Sequence, residues 1–162
     1  MLDGMLFKTR LAVAVIAGLT FGLGACSDPQ PTLPVPPPIL ETTKEYPFGT
    51  LTGSLDTRYW TQVWDRAVAT FGEVGMRLER YVMPTDTSWQ RLQEIYAEKL
   101  AAREGWRPAD DLTFGTNEHA WSFAYRRDDH FVALVGLRPQ HSEGGIVPVN
   151  VMTNLPLSSE PK

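Results

Sequence analysis

The chain has a single cysteine, Cys26, so it cannot form an internal disulfide. No Cys/His cluster with zinc-ligand spacing is present. It has no excess of basic charge either: 15 Lys and Arg stand against 19 Asp and Glu, a formal net charge of −4. Arg126-Arg127 is not part of a basic stripe interleaved with aromatics, which excludes the electrostatic footprint of a nucleic-acid binder. The apolar segment Leu11 to Leu23 is 13 residues long, whereas crossing a bilayer takes about 20. No HExxH, GxSxG, SxxK pair, Asp-rich calcium loop or internal repeat is present.

The position of that cysteine carries information. Lys8 and Arg10 precede the apolar segment, and Leu23-Gly24-Ala25-Cys26 follows at its end. This is the order of an export signal, with positive charge, an apolar centre and small residues at the cut. Asp3 is foreign to a positive leader, and a start at Met5 gives the more regular MLFKTR. The tetrapeptide resembles the lipobox of bacterial lipoproteins. The resemblance implies removal of residues 1–25, a diacylglycerol thioether on Cys26 and a further palmitate-type acyl group on its amine. Two chains suffice for stable attachment, at about 0.8 kcal/mol per buried methylene. An ordinary cleaved signal peptide, leaving Cys26 as a free thiol, is the alternative. The residue after the cysteine is Ser27, with Asp28 next. The implied location is the outer membrane of a host with two membranes, or the outer face of the cytoplasmic membrane otherwise. Residues 1–26 carry a net +1, so the processed chain stands near −5.

Residues 26–44 hold six prolines between Pro29 and Pro38 and no periodic apolar pattern. They read as the lipidated cysteine and an extended tether of about 3.1 Å per residue, holding a domain off the bilayer. Residues 45–155 form the one globular unit, large enough for one core, and 156–162 a polar tail. All five tryptophans fall inside the unit.

Within it, Asp56 or Thr57 caps a helix with Trp60, Val63, Trp64, Ala67, Val68 and Phe71 on one face, ending at Gly72. Arg77 to Met83 follows as a strand. Caps from Thr85 to Ser88 open a second helix with a stripe of Trp89, Leu92, Ile95, Tyr96 and Leu100, closed by Gly105. Beyond Pro108 the period changes to two. Trp121, Phe123 and Tyr125 alternate with polar or small residues, Arg127 to His130 turns, and Phe131 to Leu137 returns as a hairpin partner. Ile146 to Met152 is a last strand, which Pro148 assigns to an edge or a bulge. The expected fold is α+β, a two-layer sandwich with an antiparallel sheet of about four strands and two helices on one face.

Chemistry-bearing residues are sparse. His119 opens the first hairpin strand and His130 lies in its turn, about 20 Å or more away. His141 follows the returning strand and can approach His119, giving at most a two-histidine site with Glu118 or Glu143. With so few ligands these are weak metal candidates, and no cofactor is expected. Asp110-Asp111 and Asp128-Asp129 read as turn and cap residues. Among the aromatics, Tyr59, one step off the first helix's apolar face, and Trp106, beside a cap, are expected at the surface as a binding face.

The expected function is that of a membrane-anchored, non-catalytic envelope lipoprotein that binds another envelope protein or supports an envelope assembly, with no nucleic-acid partner. A small-ligand or cell-wall glycan binder using an aromatic cleft is the alternative. A hydrolase with an unrecognised site is the second alternative.

Overall fold

The computed structural model describes residues 31–43 and 45–156. In chain order the elements are β1 (Glu41–Thr42), α1 (Thr50–Phe71), β2 (Arg77–Pro84), α2 (Trp89–Ala101), β3 (Arg107–Pro108), β4 (Ala120–Arg127), β5 (His130–Leu137) and β6 (Ile146–Thr153). Single 3-10 turns cover Asp110–Leu112 and Pro139–His141. The fold is α+β, as expected, but the antiparallel sheet has six strands rather than about four, in the order β1-β2-β6-β5-β4-β3. The two additional strands are the two-residue edges β1 and β3, too short to give a period-two signal in sequence.

The hairpin β4–β5 runs from Ala120↔Leu137 to Arg127↔His130. Its turn holds Asp128 at φ 50°, a left-handed conformation that aspartate tolerates better than most residues. β6 pairs with β5 on one side and with all of β2 on the other, which makes it central rather than the edge that Pro148 suggested. Pro148 lies one residue beyond the last pair with β5, Gly136↔Val149, where a missing N–H interrupts no bond to that strand.

The helices cover opposite faces, correcting the two-layer expectation. On one face Trp121, Phe123, Val132, Leu134, Val149 and Val151 pack with Leu92, Tyr96 and Leu100 of α2. On the other, Ala120, Ala124, Phe131, Ala133, Val135 and Met152 pack with Tyr59, Val63 and Ala67 of α1. The physical reason lies in β5. Phe131 to Leu137 is apolar without alternation and buried throughout, so both of its faces need cover. Trp121 lies directly over Gly136 of β5, where an added Cβ would fall 2.2 Å from the indole.

The stretch expected to be a free tether is docked where it is described. Leu33 and Leu40 are buried in the α2-side core, and Glu41–Thr42 pairs with Val82 and Tyr81 of β2. Leu33 N–H bonds the Pro156 carbonyl at 2.9 Å, Lys99 Nζ of α2 reaches the Val35 carbonyl at 2.6 Å, and Arg103 bonds the Thr32 carbonyl. Residues 31–43 are therefore a strap across the α2 face.

Candidate functional site

Helix α1 begins seven residues earlier than a cap at Asp56 implies, and that shift creates the site. Its N-terminus is Gly49, whose N–H donates to Glu143 Oε2 at 2.9 Å. The helix's buried stripe is Thr52, Asp56, Tyr59, Val63 and Ala67, with Trp60 and Trp64 at its margin. Asp56 is thus an internal carboxylate, 1 % exposed. Tyr46 Oη donates to Asp56 Oδ2 at 2.7 Å, and Asn150 Nδ2 of β6 donates to Oδ1 at 2.6 Å. Both carboxylate oxygens are engaged, as a buried polar group requires.

Burial pushes the Asp56 carboxyl above its ordinary value, against the opposing pull of the Tyr46 and Asn150 hydrogen bonds and the Arg80 charge. Burial, and then the bond to Asp56, hold the Tyr46 phenol protonated far above neutral pH. Tyr46 is therefore a fixed donor. The Arg80 guanidinium of β2 stands over the Tyr46 ring, 5.6 Å from its centroid, and Phe48 packs edge-on against the same ring at 5.2 Å. Gly53 keeps one turn of α1 low enough for the ring to lie on it, since a Cβ there would come 3.3 Å from Tyr46 Cε1. Together Tyr46, Phe48, Gly49, Gly53, Asp56 and Arg80 line an open cleft of about 610 Å³.

The loop after β5 closes the end of this helix. Glu143, half-buried, is held below the usual carboxylate range by hydrogen bonds from the Thr52 hydroxyl and the Gly49 amide, and it complements the positive end of α1. The same loop carries His141, whose Nε2 lies 3.0 Å from Nδ1 of His119. His119 Nε2 in turn lies 3.1 Å from Glu118 Oε1. The two histidines named from sequence do meet, with Glu118 on the outer side, while Glu143 is committed to the helix. His130 opens β5 at the other end of the hairpin. Among the described residues no group of three or more His, Cys, Asp or Glu converges as a metal site.

A second concavity, about 280 Å³, lies at the N-terminus of α2. Trp89 and Trp121, stacked at 6.1 Å, form part of its wall with Met83, Leu137 and Val147, and Thr85, Ser88 and Arg138 contribute polar groups. Ser88 caps the helix by accepting from the Arg91 amide at 3.2 Å.

Of the two aromatics expected to be partly exposed, Trp106 is and Tyr59 is not. Tyr59 is buried against Phe114, ring centroids 5.2 Å apart, because the burial stripe of α1 is centred on it. Trp106 is half-buried against the α2-side core, and its Nε1 is enclosed without a partner. Leu23, Gly24, Ala25 and Cys26 lie outside the described residues. The site residues that sequence reasoning missed are Tyr46, Arg80, Asp56 and Asn150. The available signal was a polar residue on each of two apolar patterns, Asp56 on the helix stripe and Asn150 in Ile146–Thr153.

No protein-family model matches this chain, and no match was found among curated proteins or solved structures. No helix among the described residues is long and apolar enough to cross a membrane.

Proposed function

We propose that this is a lipid-anchored, non-catalytic envelope lipoprotein that binds another envelope protein at the cleft beside the N-terminal half of α1. The anchor rests on the lipobox at Leu23 to Cys26. The observation that carries the binding site is Arg80 set over the Tyr46 ring, with that ring's hydroxyl fixed by buried Asp56. Tyrosine and arginine are the side chains that most often dominate protein interfaces, and here both are ordered before a partner arrives. Leu51, 85 % exposed on the first turn of α1, adds apolar surface next to the lining residue Thr50. The protonation states fit recognition better than chemistry, because Asp56 is saturated by two donors and Tyr46 is locked as one of them.

The docked strap revises the anchoring geometry. Four residues, Ser27 to Gln30, separate the lipidated cysteine from the strap. At most about 3.6 Å per residue, they let the domain stand off by less than about 20 Å.

The anchor is tested by metabolic lipid labelling and membrane fractionation of wild type and Cys26→Ala. The wild type is expected to incorporate label and sediment with membranes, and the variant to do neither. A variant that still sediments with membranes contradicts the lipid assignment.

The Trp89–Trp121 concavity favours a second reading, a small aromatic ligand or wall sugar held on an apolar wall with a polar rim. Under that reading, adding cell-wall fragments shifts tryptophan emission.

A further inference from the structure

We propose that His119 and His141 form a two-nitrogen binding site for a divalent transition metal of the copper or nickel type, completed by water. It is independent of the cleft and of the lipid anchor. Glu118 sets the tautomer of His119. Its carboxylate, 3.1 Å from His119 Nε2, accepts that nitrogen's proton and so leaves Nδ1 as a lone pair. An outer carboxylate of this kind is the usual companion of a metal-binding imidazole, fixing its tautomer and raising its basicity.

The free Nδ1 faces His141 Nε2 at 3.0 Å. Without metal, the His141 Nε2–H donates to it. When an ion enters, that proton is released or moves to Nδ1 of His141, and the two rings turn so that both lone pairs meet at the ion. With metal–nitrogen bonds of about 2.0–2.1 Å, a 3.0 Å separation corresponds to an angle of about 95° at the ion. That is close to the cis angle of tetragonal complexes, and imidazole nitrogens bind Ni(II) and Cu(II) more strongly than the earlier divalent first-row ions.

The backbone holds this arrangement in place before any ion arrives. Asn117 Oδ1 accepts from the His119 amide at 2.8 Å, and the Arg138 amide donates to the His119 carbonyl at 2.8 Å. The His141 amide bonds the Arg138 carbonyl at 2.9 Å, and Gln140 bonds the Glu118 carbonyl. The two loops at the open end of the β4–β5 hairpin are thus tied to each other, as a site of fixed geometry needs. The His119 side chain is 39 % exposed, which leaves room for water ligands on the outer side.

The test is calorimetric titration of CuCl2 and NiCl2 into the full chain carrying Cys26→Ala, so that no thiol competes, with electron paramagnetic resonance of the copper form. The expected result is one equivalent of saturable binding with nitrogen hyperfine structure from two imidazoles. His119→Ala and His141→Ala are each expected to weaken binding at least 10-fold, while His130→Ala leaves it unchanged. His141→Gln, which retains a hydrogen-bonding group, guards against loss of loop structure and is expected to weaken binding as His141→Ala does. Circular dichroism verifies the fold of each. The proposal is overturned if the folded protein shows no saturable binding, or if binding survives both alanine substitutions unchanged.

Discussion

Asp56 is the residue on which the cleft depends. It is 1 % exposed, bonded to Tyr46 and Asn150, and charged only at the cost of leaving water. Asp56→Ala leaves the Asn150 amide, itself buried, without its acceptor, and is expected to destabilise the fold by about 2 kcal/mol. Because burial raises its native pKa, the folded protein holds this proton at pH values where the unfolded chain has released it. The stabilisation is complete below the unfolded value and is lost as pH rises through the native one. Urea titrations across pH 3 to 8 check this against Asp56→Asn, which does not titrate. The stability of wild type relative to the variant is expected to fall with rising pH and then level off, whereas a constant difference contradicts the assignment. This residue was only half legible in the sequence. An aspartate at the head of an amphipathic run has the chemistry of a cap. The helix extends past it because Glu143, 94 residues downstream, supplies the carboxylate for the N-terminus at Gly49 instead.

At the scale of elements, legibility followed local pattern. α2 and the β4–β5 hairpin were readable because their periods are regular and their boundaries carry Ser88 and the Asp128-Asp129 turn, although α2 ends at an Ala102 cap, three residues before the Gly105 expected to close it. The side of the sheet taken by each helix was not, because it is decided by which strand faces are apolar across the assembled sheet. The unalternated run of β5 held that information, since a strand buried on both sides implies cover on both. The strap was misread for a related reason. Proline disfavours regular ladders, but Leu33 and Leu40 are apolar anchors whose partners lie on α2, β2 and the far end of the chain. If the strap belongs to the core, Leu33→Ala and Leu40→Ala should each lower the unfolding free energy by about 2 kcal/mol or more, read from chemical denaturation. Substitutions in a free tether leave it unchanged.

At the scale of the whole molecule, the docked strap and the cleft belong to the fold, while the lipid anchor and the recognition role belong to the proposed function. The proposed anchor, which lies outside the described residues, was read from one contiguous motif. The cleft was not, because Tyr46, Asp56, Arg80 and Asn150 come from the strap-to-helix connection, α1, β2 and β6, which only the fold brings together. The central claim is that the cleft contacts an envelope protein at the membrane. The most direct measurement places a photo-cross-linking amino acid at Thr57, on the cleft wall, or at exposed Val74 in the turn after α1, in intact cells with anchored and Cys26→Ala forms. The account predicts a discrete protein adduct from position 57 of the anchored form, lost with Cys26→Ala or Arg80→Ala and absent from position 74. No adduct at position 57, or the same adducts from both positions, would contradict it.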